Sequence, residues 1–156
     1  MLTPSPIEIP SFSGLTTSGL IVDTPKVPPL QEACSVANSP YSTEVTQAFS
    51  YCYSMGITTQ CPIQKANPSG LVFRKHIAKM ISQFAINVLG KKPDPKKNCN
   101  FTDIKNESTE LQRYAKIACQ LGLMGLDSRG NPNGVFSPNI ILTRAQFGTM
   151  LSRLLW

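Results

Sequence analysis

The chain has one histidine, His76, and only nine acidic residues in 156, so few side chains are left to carry acid–base or metal chemistry. No acid–base pair or activated nucleophile stands out, and no catalytic residue, cofactor or metal is expected. His76 with Cys52 or Cys61 could make a thiol pair, but any protein with one histidine and several cysteines offers that combination. None of the five cysteines forms a C-x-x-C pair, which argues against a structural zinc site. The loop "DSRGNPNGVFSP" fails as a calcium-binding EF-hand, because counting from Asp127 puts Arg129, Pro132 and Pro138 at the third, sixth and twelfth positions. No apolar run approaches the roughly 20 residues that a membrane-spanning helix needs. The start "MLTPSPIEIP" has neither the basic nor the apolar region of a signal peptide. A cytoplasmic protein, a mature chain and a piece of a longer secreted protein all fit these absences. Whether the cysteines are buried thiols or disulfides depends on which of them applies.

An apolar content of 41% suffices for a modest core in one domain or two small ones. The net charge of +6 is localised. Residues 65 to 97 hold eight basic side chains (Lys65, Arg74, Lys75, Lys79, Lys91, Lys92, Lys96, Lys97) and one acid, Asp94, for +7, while the remainder sums to −1. That segment reads either as a solvated helix face with a lysine-rich loop or as a patch for an anionic partner.

Residues 1–32 contain six prolines among Ser, Thr and Gly and read as an extended arm or linker, with room for a short strand at "LIVDT". Helical periodicity begins near Ser42, with Val45, Ala48, Phe49, Cys52 and Met55 at three- and four-residue steps. A second run uses Phe73, Ile77, Met80, Ile81, Phe84 and Val88 and stops at Gly90, as expected just past a helix C-terminus. "KKPDPKK", residues 91–97, cannot be helical and reads as a basic linker. The arrangement then recurs. Leu111, Tyr114, Ala115, Ala118 and Leu121 repeat the first helix at an offset of 66, and Phe147, Met150, Leu151 and Leu154 repeat the second at 70. The offset grows because the second loop is longer, and loops are where insertions are tolerated. The expected fold is all-α: two helix–loop–helix repeats, residues 33–90 and 98–156, in a pseudo-symmetric helical bundle.

"FTDI", "YAKIACQLGLMG", "FSPN" and "LTRAQFGTMLSRLL" together resemble the S-layer homology domain, in a divergent, cysteine-containing form. The resemblance is strong over residues 98–156 and weak over 33–90. It implies a module, usually of three repeats around a pseudo-threefold axis, that holds proteins on the bacterial cell surface by binding an anionic cell-wall polysaccharide. The family's Thr-Arg-Ala-Glu arginine lies in the inter-repeat groove and contacts the polymer. By motif match that role falls on Arg144, with Arg74 as its counterpart and Asp103 and Lys75 in the implied ligand-binding set. The chain departs from the pattern at Gln146, where the family has an acid, and at Phe73-Arg74-Lys75-His76, which replaces the motif in the first unit.

Thr143 and Gln146 have the spacing of a capping box, which needs no ligand to explain it. Arg144 gains nothing from the positive end of the helix dipole and is the residue left to explain, as an anion ligand or as an ion-pair partner of Asp103 or Asp127. The repeat also orders the cysteines. Cys34 and Cys99 each precede a first helix and Cys52 and Cys119 lie in its last turns, so the expected pairs are Cys34–Cys52 and Cys99–Cys119, with Cys61 left over. Five buried thiols are the alternative.

The leading expectation is therefore a non-enzymatic extracellular module that anchors a protein to cell-wall polysaccharide or forms part of a surface layer. A protein-interaction scaffold, completed by a missing repeat or another copy, is the second. Nucleic-acid binding through residues 65–97 is the third, disfavoured by inter-helix loops far longer than the roughly three or four residues of a helix-turn-helix. The last helix is expected to find its neighbour in a longer protein, another subunit or the N-terminal arm.

Overall fold

The computed structural model describes residues 34–156, so the arm at 1–32 and its "LIVDT" strand lie outside the described residues. Five helices follow in order: α1 Thr43–Ser54, α2 Ile63–Ala66, α3 Arg74–Asn87, α4 Thr109–Gln120 and α5 Arg144–Leu155. No strand occurs among the described residues, only isolated antiparallel bridges at Phe73–Ile141 and Leu126–Pro132, and the fold is all-α.

Local chemistry explains where the long helices begin. Ser42 and Ser108 cap α1 and α4, each hydroxyl accepting the backbone N–H three residues on at 3.3 Å. Both helices have 12 residues and start 66 apart, and each is followed by a glycine at positive φ, Gly56 and Gly122. The starts of α3 and α5 are 70 apart. Thr143 closes the full capping box on α5: its Oγ1 accepts from Gln146 N at 3.2 Å, and Gln146 Oε1 accepts from Thr143 N at 3.1 Å. Phe73, at the matching position of α3, offers no side-chain cap. Instead the α3 amides of Arg74 and Lys75 donate to Ile140 O and Pro138 O, at 2.9 and 3.1 Å, in the distant loop before α5.

The core lies mainly in the C-terminal half. One extensive helix–helix interface, α3 against α4, joins Ile77, Ala78, Ile81 and Ala85 to Ala115, Ala118 and Cys119 in a single cluster. Cys99, Phe101, Ile104, Leu123, Met124, Phe136, Met150 and Leu154 complete that cluster. Thus α3, which precedes the basic linker, shares a core with the helices that follow it. The linker is itself tied down: Lys91 N donates to Ala85 O at 2.9 Å and Asp94 N to Gln120 O at 3.1 Å. Gly125, at φ 69, packs so closely on Phe101 that any Cβ there would collide with the ring. Around α1, by contrast, Phe49, Ile57 and Ile63 are buried apart from the main cluster, and a groove of about 550 Å³ opens between α1 and α3.

One expected disulfide is corrected. Cys99 bonds Cys119 as expected, but Cys34 bonds Cys61, and Cys52 is the free thiol. At the offset of 66 Cys52 matches Ala118, and Cys119 matches Tyr53. One residue along an α-helix turns a side chain by about 100°, so Cys52 looks into the groove rather than toward the segment carrying Cys34. The loop after α1 brings Cys61 back instead.

Candidate functional site

Three of the four residues expected to bind ligand, Arg74, Lys75 and Asp103, meet where the "FSPN" loop crosses the start of α3. The Asp103 carboxylate accepts the backbone N–H groups of Phe136 and Ser137, at 2.8 and 2.7 Å. Arg74 grips the same turn, its Nε donating to Phe136 O at 2.9 Å and its guanidinium lying 5.3 Å from the centre of the Phe136 ring. Burial pushes Arg74 below its ordinary pKa, and the Asp103 charge pulls it back up. Lys75 is fully engaged, with its Nζ 3.1 Å from Glu107 Oε2 and 2.7 Å from Asn139 Oδ1. Asp103 and Lys75 therefore spend their polar atoms within the fold, binding segments about 30 to 60 residues apart.

Arg144 stands in the first turn of α5, exposed, with no ion pair to Asp103 or Asp127 and no side-chain hydrogen bond among the described residues. Asp127 is occupied otherwise: its Oδ1 accepts from Arg129 N and Asn131 N, at 2.8 and 2.9 Å. These hydrogen bonds, that to Asn131 first, hold its carboxyl below the ordinary carboxylate range.

Arg74 has a different basic companion. A cleft of about 140 Å³ between the start of α3, the 123–126 segment and α5 is lined by Arg74, Gln146, Thr149 and Arg153 among apolar neighbours, and by no carboxylate. Arg153 Nη1 donates to Leu123 O at 3.1 Å, which holds the guanidinium at the cleft wall. A guanidinium has five N–H donors, and here each spends one on a backbone carbonyl, so both keep donors for an anion. The Gln146 amide nitrogen is likewise left by the cap, which uses only Oε1. Sequence reasoning missed Arg153, since a basic residue in the last turn of a helix reads as a dipole partner. The available signal was its spacing: Gln146, Thr149 or Met150, and Arg153 share one helix face.

Cys52 and His76 both line the groove between α1 and α3, and no hydrogen bond joins them. Cys61 is in a disulfide, and burial pushes the Cys52 thiol up, toward the unreactive neutral form. His76 is exposed and packs edge-on to Phe73. Among the described residues no group of three or more His, Cys, Asp or Glu side chains gathers to hold a metal, and no helix is long and apolar enough to cross a membrane. No protein-family model, curated protein or solved structure matches the chain.

Proposed function

We propose that the chain is a non-enzymatic cell-surface module that binds an anionic cell-wall polysaccharide, an acidic substituent of the polymer entering the cleft between Arg74 and Arg153. The observation that carries this reading is the pair of guanidiniums lining a cleft without a carboxylate. Planar guanidinium forks suit carboxylate recognition, and the half-buried Leu126 gives the cleft an apolar edge. Two disulfides suit an oxidising, extracellular compartment. The resemblance of residues 98–156 to the S-layer homology domain points to the same ligand class, with Arg153 taking the part first expected of Arg144.

The test is binding of the full chain to purified cell-wall polysaccharide, before and after its acidic substituents are removed. Arg153→Gln is expected to weaken binding to the acidic polymer by about tenfold or more in a protein that circular dichroism shows to be still folded. Arg144→Ala, outside the cleft, should leave affinity nearly unchanged. Equal binding by wild type and Arg153→Gln would remove the cleft as the site.

A second reading, a protein-interaction scaffold, rests on α5. Ile77, Ile81 and Ala85 of α3 are 7, 4 and 0% exposed beneath α4, whereas Phe147, Leu151 and Leu155, at the same positions 70 residues on, are 38, 37 and 73% exposed. A stripe of this kind marks an interaction surface. Sedimentation of wild type against Leu151→Glu distinguishes the readings: an assembly that the charge dissolves favours the scaffold. Nucleic-acid binding loses ground, because Lys75 and Lys79 of the basic segment are paired with Glu107 and Glu110.

A further inference from the structure

The groove between α1 and α3 exists because three large side chains of the second hairpin have small counterparts in the first. The 66-residue offset, which aligns α1 with α4 and Gly56 with Gly122, sets Ala48 against Tyr114 and Thr58 against Met124. The 70-residue offset sets Ala66 against Phe136, an alignment also marked by positive φ at the next residue of each, Asn67 at 47° and Ser137 at 59°, with Pro68 and Pro138 following. Met124 and Phe136 are buried in the main cluster, and Tyr114 is buried against α3, its hydroxyl accepting from Gln83 Nε2 at 2.7 Å. Ala48, Thr58 and Ala66 all line the groove, which is the space their larger counterparts would fill.

At about 550 Å³ the groove has the size of a small-molecule pocket, and its floor of Phe49, Ile57, Met80 and Leu111 is apolar. Its charged lining is of one sign. Lys65 is exposed and without an ion pair among the described residues, Lys79 is held by Glu110, and no carboxylate lines the groove. Apolar depth beneath a cationic rim is complementary to an amphiphile with one anionic end. We propose that this groove binds a free fatty acid, its alkyl chain taking the space left by Ala48, Thr58 and Ala66 and its carboxylate meeting Lys65. The site is separate from the Arg74–Arg153 cleft and does not depend on the polysaccharide reading.

Cys52, which lines the groove, is the one thiol outside the two disulfides and supplies a built-in reporter. The experiment measures alkylation of Cys52 in the full, non-reduced chain with palmitate, with its methyl ester and with anionic phospholipid vesicles. Palmitate at ten times its Kd should slow alkylation by about tenfold, by mass action, and the uncharged ester should protect less. Lys65→Glu, at an exposed position, should weaken palmitate binding by about tenfold or more. Ala66→Phe, which restores the side chain of the second hairpin, should abolish it. The wild-type comparison of acid with ester and the Lys65→Glu variant stand even where Ala66→Phe does not fold. No protection by palmitate, equal protection by the ester, protection by vesicles alone, or a Cys52 already inaccessible without ligand would each overturn the proposal.

Discussion

The two helix–loop–helix segments begin alike, α1 and α4 sharing a length, a serine cap and a following glycine, yet one is packed and the other is open. In the second, Phe101 and Phe136 meet edge to face at 5.2 Å between ring centres, and Gly125 lets Phe101 approach. In the first, small side chains leave a groove. Their fastenings differ as well. The second buries its disulfide beneath α4 and holds the following loop through Asp127, whereas the first pins the loop after α1 covalently, through Cys61, the residue 66 positions before Asp127. A common set of start and stop signals thus specifies helices, while side-chain volume decides whether a hairpin closes over its interior.

The largest change expected comes from making the packed hairpin resemble the open one. Phe136→Ala should cost about 3–5 kcal/mol in urea unfolding, because it removes the Phe101 contact and the surface on which Arg74 lies. Removing the disulfides separately should rank next. Replacing Cys99 and Cys119 with alanine should cost about 3 kcal/mol. That should exceed the loss on replacing Cys34 and Cys61, although the latter pair spans 27 residues against 20, because Cys99 and Cys119 are themselves buried. Thermal melts of the two double variants read the order directly.

A smaller effect of opposite sign is expected at Ser82. Its hydroxyl is fully buried on α3 without a hydrogen-bond partner, while Ser152, its counterpart 70 residues on, is exposed on α5 and bonds Thr149 O. Ser82→Ala should stabilise by about 1 kcal/mol and Ser152→Ala should be near neutral, as measured by denaturant midpoints. The smallest effect concerns pH. Asp127 has its pKa lowered by folding, so its contribution to stability is present above the unfolded carboxylate value of about 4 and is lost as the pH falls through the folded value. A carboxyl NMR titration should place its midpoint below the ordinary value, and a midpoint at or above it would mean that the Asp127 turn does not persist in solution.

Much of this was legible in the residues. Ser42, Ser108 and Thr143 announce helix starts, Gly56 and Gly122 their ends, and the apolar spacing between them the core faces. The four-residue α2 escaped notice because a single turn has no periodicity to read. The Cys34–Cys61 bond is not legible in the spacing, because distance along the chain says nothing about which way a helical side chain such as Cys52 points. The resemblance puts Asp103 and Lys75 in the ligand-binding set, and their partners within the fold, Phe136 N, Ser137 N, Glu107 and Asn139, come from other segments that no local pattern reveals.

By itself the sequence determined the helices, their caps and the basic character of residues 65 to 97, since each depends on residues within a turn or two of one another. Only the tertiary structure decided which charges are consumed and which stay available. Lys75 and Asp103 are consumed because folding presents backbone and acidic partners across tens of residues. Arg74 and Arg153, 79 residues apart, come to share a cleft because α3 and α5 both pack against the 123–126 segment, a proximity that no local pattern encodes.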